Sequence, residues 1–117
     1  MSKEAVIEKM TVKDAKLFIN GEYVDALSGQ TFDTFNPATN EKLASVANGG
    51  TEDAKRAIDA AQRAFESGIW SKMPVEERSA ILCKMADLIM EKVDELAYLE
   101  TLDVGKPIKE SREFDIP

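Results

Sequence analysis

Asp103, Lys106 and Cys83 are the residues of this 117-residue chain whose types and surroundings come nearest to chemistry. Asp103 lies in the run Leu99-Glu100-Thr101-Leu102-Asp103-Val104-Gly105-Lys106-Pro107, just before the glycine and proline that stop a helix. A carboxylate at such a point can gather loop carbonyls around a hard cation, although a lone carboxylate is a thin basis for a site. Lys106, on spacing alone, is the exposed lysine of a helix stop. Cys83 is the single cysteine. A reactive thiolate needs a histidine, a helix N-terminus or nearby cations, whereas Cys83 falls mid-helix with only Lys84 beside it, which favours a small hydrophobe over a nucleophile. The acidic pairs Glu76-Glu77 and Asp94-Glu95 are interspersed with basic residues and read as solvated helix faces. Gly49-Gly50 precedes a helix without Gly-x-Gly-x-x-Gly or Gly-Lys-Ser/Thr, so it is a plain turn.

Composition narrows the chemistry further. With no histidine and one cysteine, the commonest general base and metal ligand is missing, and neither an internal disulfide nor a zinc cluster can form. The balance of 15 basic against 22 acidic residues, net −7, argues against binding nucleic acid or an anionic membrane surface. No apolar run approaches the roughly 20 residues of a membrane-spanning helix, and Met1-Ser2-Lys3-Glu4-Ala5 opens no signal-peptide core. A cytoplasmic chain of at most one domain is expected.

These candidates must be positioned by an ordered set of elements. Residues 1–15 carry no cap or turn signal and are expected to be a disordered or weakly helical lead-in. Lys16-Leu17-Phe18-Ile19 and Glu22-Tyr23-Val24 flank Asn20-Gly21, the pair best suited to a tight hairpin turn. Ser28-Gly29-Gln30 makes a second turn. Thr31 to Phe35 alternates polar and aromatic residues as a half-buried strand would, and Asn36-Pro37 ends it. Lys42 to Ala47 is another strand, closed by Asn48-Gly49-Gly50.

From Thr51 the period becomes helical. Thr51 is the natural N-cap, Glu52 and Asp53 favour the dipole, and Ala54, Ala57, Ile58, Ala61, Ala64 and Phe65 form one face until Gly68. The small alanine face predicts close packing against another backbone. A second helix starts at Pro74 and runs through Ile81, Leu82, Met85, Leu88, Ile89 and Val93. With Cys83, Ala86 and Met90 its apolar arc covers more than half the circumference and needs partners on two sides. Asp94 to Leu102 continues helically until Gly105 and Pro107, and residues 108–117 are too few to classify.

Five segments occur in an order and spacing that resembles the start of NAD(P)-dependent aldehyde dehydrogenases. They are Leu17-Phe18-Ile19-Asn20-Gly21-Glu22-Tyr23-Val24, Phe35-Asn36-Pro37-Ala38-Thr39, Ala64-Phe65 with Trp70, Glu77-Arg78, and Leu99 to Pro107. The likeness covers residue 16 to Pro117, is most specific in the last segment, and is nearest the betaine-aldehyde and phenylacetaldehyde branches. It implies an α/β fold in which this portion, antiparallel hairpins followed by two or three helices, belongs to the truncated N-terminal part of a Rossmann-like cofactor-binding domain.

The resemblance also implies an oxidoreductase that converts aldehydes to carboxylic acids with NAD or NADP and works as a homo-oligomer. In the family a cysteine thiolate attacks the aldehyde, hydride passes to the nicotinamide, and a glutamate-activated water releases the acid. None of those residues maps onto this chain, Cys83 included, and neither do the dinucleotide-binding segments, so the chain alone is expected to be inactive. What maps is a structural Na⁺ or K⁺ site, with backbone oxygens at Thr34 and Phe35, the carboxylate of Asp103 and a further ligand downstream. Two other expectations stand beside this one: a non-catalytic interaction module built on the exposed helix face, or the remnant of a split or truncated gene.

Overall fold

The computed structural model describes residues 12–117, so most of the expected lead-in, residues 1–11, lies outside the described residues. The elements are β1 (Leu17–Ile19), β2 (Glu22–Val24), β3 (Thr31–Phe35), β4 (Lys42–Ala47), α1 (Thr51–Ser67), α2 (Val75–Glu91), α3 (Val93–Val104), the short α4 (Ile108–Glu110) and a π-helical turn (Ser111–Asp115). Two compact units result, one of residues 33–44 and 84–117 and the other of residues 14–32 and 45–83. This is the α/β arrangement expected, short strand pairs followed by helices.

In the second unit, β1 and β2 pair antiparallel with Ile19 opposite Glu22, Phe18 opposite Tyr23 and Leu17 opposite Val24. Asn20 and Gly21 take φ of 55° and 82°, the left-handed pair that lets a two-residue turn follow the twist of its strands. The rings of Phe18 and Tyr23 meet at 5.0 Å between centroids, a cross-strand pair that holds the register. Ala15 bridges Val46 in parallel, its amide donating to the Ser45 carbonyl, so the last residues of the expected lead-in are extended beside β4.

Strands β3 and β4 form the other two-stranded sheet. Their aromatic residues depart from expectation. Phe32 and Phe35 are three residues apart and so project to opposite faces, and both are about half exposed.

Helix α1 begins one residue earlier than its sequence suggests. Gly50, not Thr51, is the N-cap, and since glycine has no side chain the capping group is Asp53 at the third helical position. Its carboxylate accepts the Gly50 amide at 3.1 Å and the Leu27 amide at 3.2 Å, and Arg56 Nη1 lies 3.4 Å away. Asp53 is only 4% exposed, so one buried carboxylate joins the helix start to the loop after β2. Gly68 ends the helix in the left-handed conformation as expected, its amide donating to the Phe65 carbonyl.

The alanine face of α1 does lie beside β1, where Ala57, Ala60, Ala61 and Ala64 border a groove with Phe18 and Ile19. Within the helix only Asp53 and Ala60 are buried. Ile58 and Phe65 sit roughly 80–100° round the helix from Ala57, and both face solvent.

Helix α2 buries none of its residues, and Ile81, Leu82, Met85, Leu88 and Met90 all stand exposed along it. Cys83, read from sequence as a small hydrophobe at the edge of that arc, is also exposed, because nothing among the described residues covers the arc. The helix does not run on through residue 93. Lys92 leaves helical geometry with φ −106° and ψ 11°, separating α2 from α3.

Candidate functional site

The run from Leu99 to Pro107 ends α3 and organises the first unit. Gly105 stops the helix in the left-handed conformation, φ 78°, and its amide donates to the Thr101 carbonyl at 3.0 Å. A Cβ at this position would lie 2.7 Å from Cγ of Pro37, a rigid ring carbon, so the glycine also permits close approach of the loop after β3. That loop is itself turned by Asn36, whose Oδ1 accepts the Ala38 amide and whose carbonyl accepts the Asn40 amide. The pairing of Pro37 with Gly105 spans two segments of the sequence pattern, and nothing in their spacing announces the contact.

Of the three residues named from sequence for a cation, Thr34 and Asp103 meet directly: the Thr34 hydroxyl donates to Asp103 Oδ1 at 2.5 Å. Phe35 follows Thr34 in β3 with its ring half exposed. Asp103 is exposed, and its second carboxylate oxygen makes no hydrogen bond to the described residues. Hard oxygens with a single formal charge are the donor set a monovalent cation accepts, and too few charges for a tight divalent site. No group of three or more Cys, Asp or Glu side chains suited to a metal occurs among the described residues.

Lys106 is not the free lysine of a plain helix stop. Its Nζ lies 2.5 Å from Asp115 Oδ2 and 3.7 Å from Glu100 Oε1, joining α3 to the π-helical turn. The Thr101 and Ser111 hydroxyls meet at 3.4 Å, Ser111 is fully buried, and Ala97 below them is fully buried too. Pro107 is the N-cap of α4, and its carbonyl accepts the Glu110 amide. Asp94, half of a pair read as a solvated face, lies 2.7 Å from Arg112 Nε in an ion pair. Residues 108–117 are thus packed helical turns rather than an unclassified tail. Their short length hides the pattern, since two turns of helix offer too few positions to show a period.

The Lys106 ammonium is held above its ordinary value of 10.5, mainly by its hydrogen bond to Asp115, with burial opposing and the charges of Asp115, Glu100 and Glu110 assisting. A raised folded-state pKa means the native chain holds this proton more firmly than the unfolded chain. Its stabilisation is therefore complete below 10.5 and disappears as pH rises through the native value. The difference in urea midpoint between the native sequence and Lys106→Met should be constant at neutral pH and shrink only in strongly alkaline buffer. A difference that vanishes already near neutrality would contradict this.

The second glycine-helix junction offers no cradle for a dinucleotide. At the start of α1 the Asp53 carboxylate already takes the Gly50 amide, where a phosphate would need free N–H donors, and its charge would repel an anion. The acid/base candidates elsewhere stay apart, with Glu76 and Glu77 exposed in the first turn of α2.

Comparison with known proteins agrees with the fold. The profile of the Aldehyde dehydrogenase family matches residues 23–117. Aldehyde dehydrogenase 1 of Tanacetum cinerariifolium is 52% identical over 101 residues, which is 86% of this chain and 20% of that protein. The NADP/NAD-dependent aldehyde dehydrogenase PuuC of Escherichia coli (strain K12) is 49% identical over 102 residues, 87% of this chain and 21% of its own. Among solved structures, an indole-3-acetaldehyde dehydrogenase with NAD⁺ superposes with TM-score 0.91 at 42% identity, over 98% of this chain and 23% of that one. The NAD⁺ complex of aldehyde dehydrogenase from Bacillus cereus gives 0.87 at 47%, over 95% and 23%.

A hairpin, a capped alanine-faced helix and the Leu99–Pro107 helix stop lie within the backbone that these solved structures match. The chain belongs to the aldehyde dehydrogenase family and takes the form of the N-terminal part of that fold. It spans about a fifth of the length of the curated relatives it matches.

Proposed function

We propose that this chain supplies the N-terminal scaffold of an enzyme that oxidises aldehydes to carboxylic acids with NAD⁺ or NADP⁺, a cytoplasmic homo-oligomer. We further propose that it contributes no reacting group of its own. The observation that carries this reading is that the residues of the most family-specific run hold structure: Thr101 on Ser111, Asp103 on Thr34, Gly105 against Pro37, Lys106 on Asp115. In the whole enzyme a bound dinucleotide would supply the hydride acceptor. The part of this chain is to hold the end of β3 and the end of α3 together through Thr34 and Asp103.

A chimera tests this. Residues 16–117 are placed in the Escherichia coli NADP/NAD-dependent relative in exchange for its matching segment. The chimera should form NADH from aldehyde and NAD⁺ at a rate within about tenfold of the parent enzyme, a loss of about 1.4 kcal/mol or less. A soluble, folded chimera with no activity would refute the reading.

Na⁺ or K⁺ is proposed on the Asp103 carboxylate and the backbone carbonyls of Thr34 and Phe35, completed by a ligand from outside the chain. There it would neutralise Asp103 and tie the end of β3 to the end of α3. At ten times its dissociation constant such a cation adds about 1.4 kcal/mol of stability. In the chimera, melting in NaCl or KCl should exceed melting in choline chloride at equal ionic strength, and Asp103→Asn should remove the difference. Equal melting in all three salts would count against the site.

A further inference from the structure

The turn of the β1–β2 hairpin is also a reactive dipeptide. Asparagine followed by glycine closes on itself more readily than other Asn-Xaa pairs, because glycine has no Cβ to shield its nitrogen. The sequence holds two such pairs, Asn20-Gly21 and Asn48-Gly49, and the fold treats them differently. Asn20 and Gly21 stand at an exposed tip. Neither the Asn20 side chain nor the Gly21 amide makes a hydrogen bond to the described residues, and a Cβ on Gly21 would meet nothing within 4 Å. The strands that close this tip have three residues each, and a two-stranded hairpin is marginal by itself. Asn48-Gly49 is clamped instead. The Asn48 amide donates to the Gln30 carbonyl at 2.8 Å, the Ala47 amide donates to the Ala15 carbonyl, and the Gly50 amide is held by Asp53. A Cβ on Gly49 would lie 3.2 Å from a Leu17 methyl. Freeing this pair means breaking the start of α1, whereas freeing the hairpin tip breaks only the pairing of Ile19 with Glu22.

We propose that Asn20 is a site of spontaneous covalent modification, losing its side-chain amide to give aspartate and isoaspartate, and that opening of the β1–β2 hairpin sets the rate. The Gly21 nitrogen attacks Cγ of Asn20. A C–N bond forms, the bond from Cγ to Nδ2 breaks, and Nδ2 leaves as ammonia with the proton of the Gly21 amide. Water then opens the five-membered imide at either carbonyl, so the step needs no oxidant, reductant or enzyme. Ring closure rotates the Asn20-Gly21 linkage out of its turn geometry, which is why the hairpin must open first.

The two products differ in what they do to the turn. Aspartate before glycine suits the same two-residue turn, so the aspartate form keeps the hairpin. Isoaspartate routes the main chain through its side-chain carbons, adding one carbon between Ile19 and Glu22, and the register that sets Phe18 opposite Tyr23 is lost. Either product places a new carboxylate in the groove that Asn20 lines with Glu22, Arg56, Asp59 and Arg63, turning a balanced set of charges negative.

To test this, the chain is kept in mildly alkaline buffer and, separately, in concentrated guanidinium chloride, and its tryptic peptides are followed by mass, with fragmentation assigning the site. Residues 17–42 carry Asn20 and residues 43–55 carry Asn48. In buffer Asn20 should lose ammonia at least about fivefold faster than Asn48, and in denaturant the two rates should agree within about twofold. Tyr23→Ala removes the ring pair that closes the hairpin, and it should speed Asn20 by about two- to fivefold while leaving Asn48 unchanged. The isoaspartate form should show fast hydrogen exchange at the Ile19 and Glu22 amides, whereas Asn20→Asp keeps their protection. Equal rates at the two sites in buffer, a slower Asn20, or no response to Tyr23→Ala would overturn the proposal. Aldehyde oxidation plays no part in the readout, so the functional reading and this site stand or fall separately.

Discussion

Asp53→Ala should destabilise the unit of residues 14–32 and 45–83 more than any other single side-chain deletion there, by about 2–4 kcal/mol. The expectation follows from what one carboxylate does. It accepts the amides of Leu27 and Gly50, neither of which has a partner in helix or sheet, and it lies within 3.4 Å of Arg56. At 4% exposure, water does not replace it. Without it α1 starts on a glycine that offers no side chain, and the loop after β2 loses its attachment to the helix. Asp53→Asn keeps one acceptor oxygen and should cost about half as much. Hydrogen exchange reads the effect by residue: the Leu27 and Gly50 amides should become fast in Asp53→Ala, while Ile19 and Glu22 in the β1–β2 hairpin keep their protection. Uniform loss of protection would show that Asp53 acts on the whole unit and not at this joint.

Gly105→Ala should be the comparable lesion in the other unit. An L-residue in the left-handed region costs about 1–2 kcal/mol, and forcing a methyl into a packed position adds about 1–3 kcal/mol. Gly105 incurs both, because φ is 78° and the new Cβ would stand 2.7 Å from Pro37 Cγ. A double-mutant cycle separates them. In a Pro37→Ala background the clash is gone but the backbone strain remains, so Gly105→Ala should cost only about 1–2 kcal/mol there. Strictly additive effects in urea unfolding would mean that the loop and the helix stop do not press on one another. The location matters beyond stability, since the same helix end carries Asp103 and, through it, Thr34.

Elements with strong local chemistry were legible in the sequence. The β1–β2 hairpin follows from Asn20-Gly21, strand β4 from the apolar run at residues 42–47, and the end of α1 from Gly68, each decided within a few residues by backbone preference. What escaped depends on partners distant in sequence or on counting faces. Thr51 was the obvious N-cap by residue type, but Gly50 takes that place and Asp53, at the third helical position, supplies the capping oxygens, its carboxylate also serving Leu27, 26 residues away. The break at Lys92 carries neither glycine nor proline, and the apolar pattern runs across it without a change of period. The strand Thr31–Phe35 forms where the sequence placed it, but its half-burial was misjudged, because Phe32 and Phe35 differ by an odd number of residues, which puts them on opposite faces.

The candidate site was legible in part. Thr34 and Asp103 were named from the family likeness and the fold brings them into hydrogen-bond contact across 69 residues. No spacing rule joins Lys106 to Asp115, Thr101 to Ser111 or Gly105 to Pro37, because the first two pairs exist only once the last helical turns fold back on α3 and the third only once the loop after β3 meets its end. Cys83 shows the converse. Its apolar neighbours predicted cover, yet α2 buries nothing among the described residues.

The central claim is that this chain holds an aldehyde dehydrogenase together without performing its chemistry. Its most direct test is formation of reduced nicotinamide by the isolated chain, with NAD⁺ or NADP⁺ and an aldehyde, beside the chimera at equal concentration. The account predicts no aldehyde-dependent signal above the blank from the chain alone and steady turnover from the chimera. Aldehyde-dependent reduction by the isolated chain, surviving repurification, would contradict it.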